Sequence, residues 1–491
     1  MTSGLNEMNI KVISRNVGLA LLVSALFMFL SMMVSLFDGR DSAFGPLAIS
    51  FIITFIFGAF PFIFVRQSSA ISQQDGYMII ILSWLLSFIF GMLPYVLWGG
   101  EFSLVNAWFE SVSGYTTTGS TILTDVEALP RSLLFWRSST HFIGGFGVVV
   151  FLLLVIPNAS PFRLRLANIE LSSLSRLGYR YRSMRIVYII TIVYVGITVL
   201  TAICLMIAGM PVFDAVNHAF SIVATGGFST KNMSLSEYGS MGINMVAVFF
   251  MVLSSLHFGL IFTAVASRSL QPLYRNPVVK FFLSSIVVLT LLIMADLLVQ
   301  GGYRDWGKAA ADALFQVVCY MTTTGFGMSD NSRWPLLAGM LLMVSILLGG
   351  CSGSTAGGIK ADRIYIALKT LSRQIKYSLH PTAVSHIKVG KHSVSDAESS
   401  AVMTYIVLYF MILAVGIFCV LLCGVEPVEA FSGFIASMGN AGPGLESISA
   451  LGTYAAQPAM AKFIYTVGMI FGRLEIYPVI AVAYMMFRRN L

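Results

Sequence analysis

Residues 106–119 read Asn106-Ala107-Trp108-Phe109-Glu110-Ser111-Val112-Ser113-Gly114-Tyr115-Thr116-Thr117-Thr118-Gly119. The stretch returns three times in altered form: Asp214-Ala215 running to Ala224-Thr225-Gly226-Gly227, Asp312-Ala313 running to Thr322-Thr323-Thr324-Gly325, and Glu429-Ala430 running to Gly439-Asn440-Ala441-Gly442. In each copy an Asn or acidic residue followed by Ala precedes a glycine by 13 positions, and the glycines are separated by 108, 98 and 117 residues. One Thr-Thr-Thr-Gly is an ordinary turn, but four copies at a matched offset make an internal repeat. Asn and Asp are good N-caps and an acidic side chain suits the N-terminal end of the helix dipole. Each copy therefore predicts a helix of about ten residues, about 15 Å long, that stops at its Thr/Gly-rich stretch.

The surroundings put these helices in a bilayer. The chain has 491 residues, 57% hydrophobic and 11% charged, whereas a soluble domain is about a quarter charged, so this composition cannot clothe a water-facing surface. A window of about twenty residues picks out ten apolar spans, near 16–37, 43–65, 77–98, 133–157, 185–210, 240–266, 277–299, 334–370 (interrupted), 400–424 and 457–487. The first has too long an apolar stretch, Val17 to Phe37, to be the core of a cleaved signal peptide. The four repeated segments lie between spans, too long for turns and too short to cross. The fold expected is an all-α membrane protein with two leading transmembrane helices (1–70), then four units of span, re-entrant half-helix and span: 71–184, 185–275, 276–392 and 393–491.

Charge placement orients the spans. Twenty of the thirty Lys and Arg residues fall in one set of loops, against eight in the opposite set, Arg137 among them, and two, Lys360 and Arg473, within spans. The basic side is expected to be cytoplasmic, with both termini inside. The other face carries most of the acidic residues, a potential that concentrates cations. The formal net charge of +8 is scattered between apolar spans and forms no stripe, which excludes a nucleic-acid partner. The five cysteines match no zinc or disulfide framework and read as small buried hydrophobes. His380, His386 and His392 fall in one basic loop and read as solvated.

Four half-helices entering from one side bring their C-terminal partial negative charges together, and the glycine after each lets the backbone turn carbonyl oxygens toward a common axis. Non-helical backbone at that depth is tolerable where it lines a water-filled cavity, which points to a cation pore. Below it, the eighth span is broken by Gly349-Gly350-Cys351-Ser352-Gly353-Ser354-Thr355-Ala356-Gly357-Gly358, five glycines in ten residues. At roughly 1 kcal/mol of lost helix propensity per glycine this run should unwind in mid-membrane as a hinge or plug. A phosphate-binding loop is the competing reading, but no Lys-Ser or Lys-Thr follows the last glycine and no strand precedes it. Arg473 is costly in a membrane by at least ~2.5–3.5 kcal/mol, so it aims into the pore or pairs with Glu475 or another carboxylate. Lys360 belongs either to the gate or to the cytoplasmic end of its span.

These residues resemble the Trk/Ktr/HKT superfamily of potassium transporters, and among them the bacterial TrkH/TrkG membrane subunits. The marks are Phe109 to Gly119, Ala224-Thr225-Gly226-Gly227-Phe228-Ser229-Thr230, Thr322-Thr323-Thr324-Gly325-Phe326, Gly442-Pro443-Gly444, Gly349 to Lys360 and Gly472-Arg473-Leu474-Glu475. The resemblance implies potassium uptake at a bacterial plasma (inner) membrane, with K⁺ bound in a filter of residues 116–119, 224–227, 322–325 and 439–442. Gly119, Gly227, Gly325 and Gly442 take the family's filter-glycine positions. It also implies a gate of Gly349, Gly350, Ser352, Gly353, Ser354, Thr355, Gly357, Gly358, Lys360 and Arg473, a homodimer, and a cytosolic nucleotide-binding (TrkA-like) regulatory ring, with no organic cofactor in this chain. Some relatives with sodium transport carry serine where this chain has Gly119, which favours potassium here. Gly226 and Asn440-Ala441 make the ring unequal, predicting fewer or weaker ion sites than in a symmetric filter.

The unequal ring leaves a less selective Na⁺/K⁺ permease as an alternative, and two rivals come from other classes. A membrane-embedded enzyme would need a nucleophile with a base, or metal ligands, at one depth, and no such set appears in the spans. A proton- or sodium-coupled carrier would be expected to show inverted repeats and midplane carboxylates, whereas these half-helices all enter from one side. The basic loops Arg163–Arg185 and Arg363–Lys391 suit anionic lipid headgroups or the regulatory ring.

Overall fold

The computed structural model describes residues 9–66, 72–155, 182–382, 386–390 and 392–489. Two leading helices, Ile10–Phe37 and Phe44–Phe64, pack side by side at the start. Ile52, Phe55, Ile56, Phe57 and Phe60 of the second are about half exposed, an apolar face that water would not tolerate and lipid does. Among the described residues, six helices are long and apolar enough to cross a membrane singly. The basic segment Arg163 to Arg180 lies outside the described residues, and the expected boundary at residue 184 falls in the first turn of the helix Arg182–Ile207. The second basic segment begins as a helix, Ala361–Leu379, followed by a short hairpin of Ile387–Val389 and His392–Val394.

Two predicted spans are not straight. The sixth divides into Met241–Ser254 and Phe258–Ala266, bent by 100°, and the tenth into Ala459–Leu474 and Ile476–Met485, bent by 105°. In the first, Ser255 caps one helix and His257 starts the next, its Nδ1 accepting from the Gly259 N–H at 2.9 Å. In the second, Glu475 has φ +60°. Neither break carries the glycine or proline that a hydropathy window responds to. The interrupted eighth span is helical over Leu336–Leu348 and again from Ala361.

The four short helices are Leu104–Tyr115, Val212–Val223, Trp306–Met321 and Pro427–Met438. Their N-caps are Ser103, Pro211, Asp305 and Glu426, so the expected capping by Asn106, Asp214 and Asp312 is corrected, while Asp214 and Glu429 do lie in the first turn, where an acidic side chain suits the dipole. These residues lie inside the helices and tie down neighbouring chain. Lys462 Nζ donates to Asn106 Oδ1 at 3.0 Å, Thr230 Oγ1 to Asp214 at 2.7 Å, Tyr303 OH to Asp312 at 2.8 Å and Gln457 Nε2 to Glu429 at 2.7 Å. The repeated offset of 13 therefore marks a latch.

Candidate ion-conduction site

The four helices end alike. The residues two before each glycine, Thr117, Thr225, Thr323 and Asn440, have φ of +52°, +53°, +55° and +52°. Their N–H groups donate to Gly114, Ile222, Tyr320 and Ser437, three residues back, and the next N–H in each loop reaches back five, from Thr118 to Ser113, Gly226 to Ser221, Thr324 to Cys319 and Ala441 to Ala436. This paired pattern with a left-handed residue is the Schellman C-cap. Asn tolerates that conformation, but a β-branched Thr is an outlier there, at a cost of roughly 1–2 kcal/mol each. Three threonines held in it mark a site where the backbone is fixed for a purpose other than stability.

The glycines follow with φ between +82° and +91°. A Cβ added to Gly119 would come under 3.0 Å from the carbonyl oxygen of Gly226, one on Gly227 from that of Thr324, one on Gly325 from that of Ala441, and one on Gly442 from that of Thr118. Each loop abuts the next and the fourth returns to the first, so the four separated segments close into a ring. All four glycines also line one cavity of about 290 Å³, shared with the loops that follow them. Thr116, Thr117, Thr118, Thr225, Thr322, Thr323, Thr324, Asn440 and Ala441 are buried. The ring is unequal: the Gly442 carbonyl already accepts from Ser120 Oγ and Tyr454 OH, both at 3.0 Å, and Asn440 Nδ2 donates to Thr118 Oγ1 at 3.1 Å.

The residues Gly349 to Gly358 are non-helical and largely buried. Their contacts come from other parts of the chain. Cys351 N–H donates to the Ser255 carbonyl and Phe258 N–H to that of Gly353, at the bend of the sixth span. Thr355 Oγ1 donates to the carbonyl of Val223, at the end of the second short helix, at 2.9 Å, and the Gly357 N–H donates to Thr323 Oγ1 at 2.7 Å. Gly357 also faces the Gly439 carbonyl. Within the segment, Ser354 Oγ donates to the Cys351 carbonyl, while Ser352 is tied to Asp362. The loop thus lies directly against the C-terminal ends of the second, third and fourth short helices. Lys360, largely buried with φ +82°, starts the helix that follows.

Arg473 is buried and donates to the carbonyls of Thr355 at 2.7 Å and Gly144 at 3.1 Å. Glu475 is not its partner: that carboxylate takes Arg363 at 3.0 Å, which corrects the expected pairing. Arg473 therefore bridges the broken span to the helix Arg131–Val155, with its charge placed next to the loop.

The sequence reading missed a buried ion pair. Arg137, expected in an outer loop, sits inside the helix Arg131–Val155 at 1% exposure. Its Nε donates to Glu110 Oε1 at 2.8 Å, and Glu110 also accepts from Thr121 Oγ1 and the Ile122 N–H. His141 and His218 are buried beside the ring as well, His141 stacked on Phe228 at 4.1 Å and His218 on Phe326 at 5.7 Å. The only sequence signal was that charged and imidazole side chains fell in apolar surroundings.

Four short helices whose glycine loops abut in a closed cycle, set among long apolar helices, define the class: an all-α, multi-pass membrane protein. Residues 46–489 match the TrkH family, described as a cation transport protein, and the chain belongs to that family. It is 32% identical over 479 residues to the Trk system potassium uptake protein TrkH of Salmonella typhimurium, covering 96% of this chain and 97% of that one. Identity to the TrkH of Halomonas elongata is 34% over 482 residues, covering 96% and 98%. Against the Trk system potassium uptake protein TrkG of Escherichia coli it is 31% over 488 residues, covering 97% and 98%. The crystal structure of the potassium transporter TrkH from Vibrio parahaemolyticus superimposes with a TM-score of 0.87 at 30% identity, covering 97% of this chain and 98% of that one. The family is one of multi-pass membrane transport proteins and not of enzymes.

Proposed function

We propose that the protein takes up potassium across a bacterial inner membrane, through a filter whose K⁺ ligands are backbone carbonyls of residues 116–119, 224–227, 322–325 and 439–442. The observation that carries this reading is the closed order of contacts, in which each filter glycine faces a carbonyl of the next loop. A side chain at any of these glycines would occupy space that a dehydrated ion and its ligands need. The helix C-termini behind the loops, each worth about half a negative charge, favour a cation at their meeting point. Potassium uptake named for the relatives above supports the choice of ion. The division into two leading helices and four pore units, with both termini cytoplasmic, belongs to the same reading, as do a homodimer and a nucleotide-binding regulatory ring on the basic face.

The Gly349–Gly358 loop, with Lys360 at its base, and Arg473 are the gate. The loop's contacts run to several separate segments, so a shift of any one of them loosens it. The guanidinium beside Thr355 opposes cation passage until that happens. Ion passage along a prebuilt ring needs no coupled proton or sodium ion, which favours a channel-like path over symport.

Rubidium uptake into proteoliposomes, competed with sodium, tests the filter. The wild type should carry rubidium with weak inhibition by sodium. Gly119→Ser places a Cβ against the Gly226 carbonyl at φ +82°, and it should lower rubidium flux and raise the sodium share. A Gly119→Ser protein with an unaltered ion preference would remove the filter assignment.

A further inference from the structure

The position nine residues before each filter glycine is Glu110, His218, Gln316 and Gly433 in turn. In the first loop it reaches the strand emerging from the ring, through Thr121 Oγ1 at 3.0 Å and the Ile122 N–H at 3.1 Å. In the second, His218 Nε2 lies 3.0 Å from Ser229 Oγ, two residues after the glycine as Thr121 is. In the third, Gln316 Nε2 makes a 3.4 Å contact with the Ser329 carbonyl, and in the fourth Gly433 has no side chain to offer. The first strut is a carboxylate, and it is paired with a cation. Arg137 Nε meets Glu110, its Nη2 lies 3.3 Å from Thr121 Oγ1, and its Nη1 donates to the Ser229 carbonyl at 3.2 Å. The guanidinium carbon also stands 3.9 Å over the ring of Phe228, the residue directly after Gly227. Three contacts of one side chain thus hold the segments that follow the first and second glycines, and its Nε holds Glu110.

Resting on the filter reading above, we propose that Arg137, together with Glu110, is a positioning residue for cation discrimination. It fastens the first and second filter loops into one half-ring whose carbonyl spacing cannot relax around a smaller ion. Arg137 need not touch the ion. A planar fork can serve a carboxylate, a hydroxyl, a carbonyl and an aromatic face at once, which a lysine cannot. The third and fourth loops have no charged strut at this position, so discrimination is built on one side of the ring. The polar contacts also explain why a charge pair is kept in a site where apolar packing would often be as stable.

The test compares rubidium and sodium flux in proteoliposomes for Arg137→Met, Arg137→Lys, Thr121→Val and the double variant Glu110→Gln with Arg137→Met. Arg137→Met should raise the sodium-to-rubidium flux ratio by about tenfold, with Arg137→Lys between it and the wild type, as expected when charge-assisted hydrogen bonds are lost. Thr121→Val, which removes one hydroxyl, should raise the ratio by about threefold. The single change leaves Glu110 buried and unpaired, so folded yield should fall. The double variant removes that charge, so yield should recover while the ratio stays raised. A double variant whose ratio equals the wild type would overturn the proposal and leave the pair a purely structural role. If Arg137→Met gives no folded protein, the double variant and Thr121→Val decide, and unaltered ratios in both refute it. The Gly119→Ser control separates the two claims: a shifted ratio there with none in the double variant sinks only the brace, and no shift there sinks the filter reading beneath it.

Discussion

Two non-helical stretches meet at the centre of this molecule and are held in opposite ways. Each loop of the proposed filter is fixed by its own helix: a Schellman cap closes within six residues, so the left-handed Thr or Asn is set by hydrogen bonds within its own segment. The Gly349–Gly358 loop is held from a distance, by Ser255, Phe258, Val223, Thr323 and Arg473. Local fixation gives a rigid structure that survives small movements elsewhere. Non-local fixation gives one that responds to them, because its anchors are spread over separate segments of the chain. On the function proposed above, a selective element and a releasable element sit in contact without sharing a mode of failure.

Gly325→Ala attacks the local side and should have the largest effect. It forces a Cβ into φ +84° and against the Ala441 carbonyl, costs that together reach about 3 kcal/mol and cut rubidium uptake by about 100-fold. Full uptake by this variant at normal expression would break the contrast at its rigid end.

Arg473→Ala attacks the releasable side, with the opposite sign. It removes a buried cation and two hydrogen bonds from Thr355 and Gly144. Rubidium leak through protein reconstituted alone should rise by about tenfold. Unchanged leak would mean that Arg473 is only a strut between helices. Thr355→Val keeps the charge and removes the hydroxyl contact to Val223. One neutral hydrogen bond is worth about 0.5–1.5 kcal/mol, so leak should rise by about threefold to tenfold, with the sodium-to-rubidium ratio unmoved. A leak equal to the wild type's would mean that this anchor does not hold the loop shut.

The same contrast explains what could be read from the residues in order. Locally fixed parts leave a local signature: the filter glycines, their left-handed partners and the helix stops all fall within Asn106–Gly119 and its three echoes. The glycine run at 349–358 was legible as a break for the same reason, since propensity is a property of adjacent residues. Non-local partners left none. Glu110 and Arg137 are 27 positions apart on different helices, and a charge in an apolar segment announces a cost without naming what offsets it. Arg473 was harder still, because its partners are backbone carbonyls, which every residue possesses. Glu475, two positions away, was the obvious carboxylate, but the 105° bend between them turns it toward Arg363. The bend at Ser255–His257 was invisible because its capping groups are ordinary polar residues inside an apolar run.

Thr323 is one place where the two regions touch, and substituting it gives the smallest but sharpest comparison. Its backbone belongs to the third Schellman cap, while its Oγ1 accepts from the Gly357 N–H of the loop at 2.7 Å. Thr323→Val keeps the β-branched shape, so the local cap should persist and the ion preference should stay within about twofold of wild type. The loop loses one acceptor for a buried N–H, which should raise rubidium leak by about threefold in the same assay. If the leak rose while the ratio held, the filter and the loop would be separable at a side chain that joins them. A ratio shifted toward sodium as far as in Gly119→Ser would show that the loop helps to set the carbonyl ring. The local caps would then not be sufficient to hold it.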